Sequence, residues 1–175
     1  RLAQLYLYYE VPYKAAIILE RELDAERIED EEKNWEQLAN SWLSAREWTK
    51  AIPPLKKAAE MSEDGGLFLR LGQTYMQEED WKNAEKYIRY AIKKGDLKNP
   101  GRAWLLLGIT RNKKGIKSED SALFAFKRST GYDDMEADAR RWVKVIEAKQ
   151  TRREADRLAA EAAEAALADD TIYFN

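Results

Sequence analysis

Two stretches of this chain repeat one spacing of bulky and small residues at an offset of 33 positions. The first reads Trp35, Leu38, Ala39 and Trp42, then Ala51, Leu55 and Ala58. The second reads Phe68, Leu71, Gly72 and Tyr75, then Ala84, Ile88 and Ala91. Within each half the apolar positions fall three or four apart, which is the helical period and not the alternation of a strand. Each copy is therefore two helices joined by a short turn. Small residues at 39, 51, 58, 72, 84 and 91 let the two helices approach closely, and the bulky ones fill the space beside them. One such hairpin cannot bury its apolar face alone, so the pattern predicts an all-α stack of hairpins.

The remaining copies are less regular. Trp104, Leu107 and Gly108 open a third repeat, whose second helix fits only with two residues added at the turn. Ala122, Phe126 and Ser129 then take the small, large and small places, and Gly115 marks the lengthened turn. At the start, Leu2, Ala3 and Tyr6 match the end of a first helix, and Ala15, Leu19 and Glu22 the second. The chain thus reads as beginning inside a repeat, as a piece of a longer array. The period and the positions match the tetratricopeptide repeat (TPR), whose unit is about 34 residues with a W-x2-L-G-x2-Y, A-x3-F pattern. The resemblance covers about residues 1–150 and implies a TPR solenoid of antiparallel helix pairs. Its divisions are a partial repeat over 1–31, repeats over 32–64, 65–100 and 101–133, a capping helix over 134–149, and an alanine-rich helical extension and tail over 150–175.

Helices are expected at 1–8, 12–25, 33–45, 48–62, 66–78, 81–94, 101–114 and 118–130, with a last one from about 134. Pro12 suits a first helical turn, where its missing amide hydrogen costs nothing. Pro53 and Pro54 sit a turn deep, so a tight or slightly bent start is expected there. Asp133 and Glu136 have the spacing of a capping box, with Ala139, Trp142, Val143 and Ile146 at helical spacing beyond it. From Asp134 to Ala168 no glycine or proline intervenes, so the cap is expected to continue as one long helix. Its distal stripe of Ala155, Leu158, Ala162 and Ala165 is thin cover, which points to self-association through this helix or through the solenoid ends.

Composition removes several chemistries. There is no cysteine and no histidine, so thiol nucleophiles, histidine bases and zinc sites built on those ligands are excluded. No apolar run approaches the roughly 18 residues of a membrane span. The acidic run Glu29 to Glu32 lies in a connection between repeats and would not fix carboxylates at a working separation. No catalytic set, cofactor site or metal site is expected. Residues 1–64 carry 9 basic and 14 acidic side chains, whereas residues 85–128 carry 12 basic and 4 acidic. The basic stretch holds Tyr87, Tyr90 and Trp104, but these fall on or near core stripes, so nucleic-acid binding is not expected. The tryptophans at 35, 42 and 104 take repeat-pattern places, Trp48 and Trp81 take the turn place before a second helix, and Trp142 faces the cap. Tyr8 is placed nearest the concave surface.

In such arrays the first helix of each repeat lines a concave groove that holds a peptide across successive helices. Counting along the repeat places Lys33, Glu36, Asn40, Leu43 and Ser44 on it, then Arg70, Gln73, Met76 and Gln77, then Arg102, Leu105, Ile109, Asn112 and Lys113. The expected partner-binding set is Asn40, Leu43, Gln73, Met76, Gln77, Arg102, Asn112 and Lys113. An amide such as Asn40 or Gln73 offers a peptide backbone one donor group and one acceptor. The TPR clamp for a C-terminal carboxylate wants a lysine where Glu36 stands and an arginine where Leu106 stands. Only Asn40 and Arg102 agree with it, which argues against that specificity.

From Tyr8 to Lys57 the segments Tyr-Tyr-Glu-Val-Pro-Tyr-Lys-Ala-Ala, Leu-Glu-Arg-Glu-Leu, Asn-Trp-Glu-Gln-Leu-Ala-Asn-Ser-Trp and Ala-Arg-Glu-Trp-Thr-Lys-Ala-Ile resemble a narrower family. These are the TPR proteins encoded beside TonB, ExbB and ExbD energy-transduction components in Gram-negative bacteria. Arg70-Leu-Gly-Gln-x-Tyr and Trp104-Leu-Leu-Leu-Gly continue the likeness, which departs at Arg111 and in the last 25 residues. It implies a periplasmic, non-catalytic accessory of TonB-dependent uptake that acts through a protein or peptide partner. A cytoplasmic TPR adaptor and a repeat domain of a larger enzyme are the alternatives.

Overall fold

The computed structural model describes the backbone of residues 11–172 and side chains as far as residue 166. The helix expected at 1–8, with Leu2, Ala3, Tyr6, Tyr8 and Tyr9, lies outside the described residues. Within them every regular element is helical. In order these are α1 (Pro12–Asp24), α2 (Glu32–Ser44), α3 (Trp48–Met61), α4 (Gly66–Gln77), α5 (Trp81–Lys94), α6 (Pro100–Lys113), a 3-10 turn (Ile116–Ser118), α7 (Glu119–Ser129) and α8 (Glu136–Ile172). Helices pack chiefly on the ones just before and after them in sequence; α4 and α6, the first helices of successive repeats, also touch. The architecture is a solenoid of antiparallel pairs α2/α3, α4/α5 and α6/α7, with α1 as a second helix at one end and α8 as cap at the other.

The crossings sit where the small residues stand. A Cβ on Gly72 would come within 2.6 Å of Ile88 Cγ1, and one on Gly108 within 2.6 Å of Phe126 Cδ1. The two contacts are equivalent although the third repeat is longer. Gly115 absorbs the extra length with φ +99°, a left-handed backbone that glycine adopts without steric cost. Ala51, Ala58, Ala84, Ala91 and Ala122 are fully buried. Ser129 is buried too, and its hydroxyl donates to the Gly101 carbonyl at 2.8 Å, so the polar group costs little where it sits.

The helix expected at 48–62 forms as α3, with Pro53 and Pro54 inside it. Burial of Pro54 with Ala51, Leu55 and Ala58 offsets the ladder bonds lost at the two prolines. The capping box at Asp133 does not form. A series of turns covers 131–135, α8 starts at Glu136, and the Met135 carbonyl accepts from the Ala139 amide at 2.9 Å. Asp134 instead accepts from the Asn99 amide of the preceding inter-repeat connection, which ties the cap to α6. The Trp142 ring stacks on Phe126 at 5.3 Å, and Ile146 is fully buried beside it.

Candidate functional site

Two faces of the solenoid carry cavities. On the first-helix face, Arg70 of α4 reaches across to α2, donating to Glu36 at 2.8 Å and to the Asn40 side-chain oxygen. A cavity of about 530 Å³ lies on one side of it, between the connections at 62–64 and 96–99, and includes Glu36, Gln73 and Arg102. A smaller one of about 270 Å³ lies toward the other end of the helices, walled by Leu43, Trp48, Thr74 and Gln77. Arg70 and Gln73 line both, so the two cavities adjoin along the first-helix face, which serves as the groove.

The eight expected contact residues divide between this groove and the framework around it. Gln73, Leu43, Gln77 and Arg102 line the cavities. Asn40 stands beside them with its oxygen engaged by Arg70. Met76 is partly buried and packs against the cluster of Ile88, Leu107 and Ala125. Asn112 and Lys113 lie at the far end of α6, where the Lys113 ammonium sits 5.8 Å above the Trp81 ring. Arg102 is exposed, and its amide is capped by Asn99 at 2.8 Å, which fixes the start of α6 and the side chain's place at the groove edge.

On the opposite face, α5, α6 and α7 enclose a larger cavity of about 750 Å³. Its walls carry Lys82, Lys86, Arg89, Lys93, Arg111 and Lys114 against one carboxylate, Glu85. Glu85 is already committed: Lys114 donates to it at 2.6 Å and Arg111 at 2.9 Å. Burial pushes its pKa up, but those two bonds outweigh it and hold the group below its ordinary value. Arg89 and Lys93 have no ion-pair partner among the described residues. Tyr90, Trp104 and Phe124 complete the lining, with Trp104 and Phe124 edge to face at 6.2 Å.

The sequence placed Tyr87, Tyr90 and Trp104 on or near core stripes, and the structure separates them. Tyr87 is buried, stacked between Tyr75 and Phe68. Tyr90 is 47% exposed and Phe124 57%, while Trp104 is half-buried at the cavity wall. The signal that could have found this cavity is the helical angle: Tyr90 stands one residue, and so about 100°, off the stripe through Ala84, Ile88 and Ala91.

Among the described residues no group of carboxylates is placed to hold a metal ion, and no helix is long and apolar enough to cross a membrane. No protein-family model matches the chain, and no characterised protein matches it by sequence. Solved structures do match in shape. A crystal structure of MamA superposes with a TM-score of 0.72 at 16% identity, covering 90% of each chain. YrrB, described as a TPR protein with an unusual peptide-binding site, gives 0.67 at 24% identity over 87% of this chain and 76% of its own. A Podosopora anserina putative kinesin light chain with TPR-like repeats gives 0.51 at 13% identity, covering 86% of this chain and 93% of its own. The fold is a TPR solenoid. At these identities the likeness establishes the fold, and function has to be argued from the two faces themselves.

Proposed function

We propose that the chain is a non-catalytic protein-interaction scaffold that holds an extended segment of a partner in its first-helix groove. The observation that carries this reading is the pair of adjoining cavities on the first-helix face, which share Arg70 and Gln73. Arg70 locks α4 to α2 through Glu36 and Asn40, and Gln73, shared by both cavities, offers an amide to a passing backbone. The groove also mixes charges, with Glu32, Glu36, Asp64 and Asp96 facing Arg70, Lys98 and Arg102. Such a surface selects a segment by local pairing and not by net charge. YrrB lends support as a protein of the same fold described as having a peptide-binding site.

Selection of random peptides from a display library against the full chain tests the groove. Selected peptides should lose about tenfold in affinity with Gln73→Ala and Arg102→Ala together, and keep it with Arg89→Glu on the other face. Peptides indifferent to the groove pair would defeat the reading. The finer assignment, an accessory of a TonB-dependent uptake system in a Gram-negative periplasm, rests on the sequence resemblance between Tyr8 and Lys57. Its test is direct binding of the full chain to the purified periplasmic regions of TonB and ExbD. Failure there would remove the transport setting and leave the groove intact.

A further inference from the structure

The basic cavity between α5, α6 and α7 is not needed by the groove and lies on the other face. It combines three aromatic walls with six cations, and its one carboxylate is held by two of them. An occupant that satisfies this lining must bring carboxylates and large apolar side chains together within a few residues. The segment Asp169-Asp170-Thr171-Ile172-Tyr173-Phe174-Asn175 has that composition and, unlike Glu78–Trp81 and Tyr132–Met135, does not lie in a connection between two solenoid helices. Its two carboxylates match Arg89 and Lys93, which have no ion-pair partner among the described residues, and its rings match Tyr90, Trp104 and Phe124.

The described part of α8 leads away from the solenoid. Among the described residues, the last contact of α8 with the solenoid is Arg153, whose guanidinium donates to Glu119 at 3.0 Å. Beyond it residues 154–166 are all exposed, and the helix continues to Ile172. At about 1.5 Å per residue, the 16 residues from Arg153 to Asp169 carry the start of the segment about 24 Å beyond that anchor. It is thereby presented to another molecule. We infer that the segment Asp169–Asn175 of one copy docks in the α5/α6/α7 cavity of a second copy. The contact joins two different surfaces, so it is heterologous: copies exchange segments reciprocally in a dimer or continue into an open chain.

A labelled peptide spanning Ala166–Asn175 and capped at both ends should bind the full chain saturably in fluorescence anisotropy, more weakly as salt rises. Arg89→Glu with Lys93→Glu should weaken it by about tenfold or more, and exposed Phe124→Ser by about threefold or more. Helix content, read by circular dichroism, should stay at the parent level in both. In sedimentation equilibrium the full chain should self-associate, and a chain ending at Ala166 should be monomeric. Tyr173→Ser with Phe174→Ser should behave like the truncation. The proposal is overturned if the capped peptide does not bind, or if it binds the charge-reversed chain equally well. It is also overturned if self-association survives the truncation, or if an oligouridylate occupies the cavity while the peptide does not.

Discussion

The two halves of α8 share one uninterrupted helix and are held by different forces. In the first, Ala139 and Ile146 are fully buried, Trp142 stacks on Phe126, and Gln150 and Arg153 bond to Asp120 and Glu119 of α7. In the second, residues 154–166 are all exposed, and their ion pairs stay within the helix, Arg157 with Glu154 at 2.6 Å and with Glu161 at 2.9 Å and Asp156 with Arg152. Exposed pairs of that kind are screened by solvent and add little to stability. Helical continuity therefore does not report packing in this chain. The proximal half closes the solenoid, and the distal half depends on alanine propensity until something covers it.

The sharpest way to break this contrast is Ile146→Ala, which should cost about 2 to 5 kcal/mol in urea unfolding; a cost near zero would mean that the cap is not part of the core. Ala84→Leu supplies a benchmark from the body of the solenoid. Overpacking that crossing should lower stability by about 1 to 3 kcal/mol, and an unchanged melting temperature would show the helix register to be wrong. At the boundary between the halves, Glu119→Gln should cost about 1 kcal/mol near neutral pH. The hydrogen bond from Arg153 holds the Glu119 carboxyl below its ordinary value of 4.5. Its stabilisation is complete above that value and fades as pH falls through the depressed one. The variant and the parent should therefore converge in acid, and a gap that persists there would point to packing and not to charge. The smallest effect belongs to Leu158→Ala, expected within about 0.5 kcal/mol. Amide exchange should likewise be faster over 155–165 than over 139–150, and equal protection in a monomer would erase the distinction.

The solenoid was legible in the sequence because helix crossings impose local steric requirements that few residues meet. Gly72 against Ile88 and Gly108 against Phe126 show up as small residues at fixed spacing, and the two-residue insertion shows up at Gly115. The start of α8 was less legible, since a capping box needs only an acid and a glutamate three apart. Here Asn99, distant in sequence, takes Asp134 for the inter-repeat bond, and the turns at 131–135 move the helix start. The groove was readable as a face, and less so residue by residue. Periodicity places Met76 and Gln73 on one side of α4 but does not say that Met76 packs partly into the core. The basic aromatic cavity was the least legible feature. Its walls come from three helices, and at Tyr90 exposure turns on a single helical step.

The succession of contacts along the chain also governs how the fold forms. Each helix finds its main partner in the next or previous one, so closing any one hairpin fixes only a short loop and costs little chain entropy. Such low contact order favours fast folding, with nucleation at whichever hairpin forms first and growth by addition of neighbours. Shortening the chain from the α8 end should accordingly remove stability in graded steps, one interface at a time, and leave the hairpins that remain able to fold.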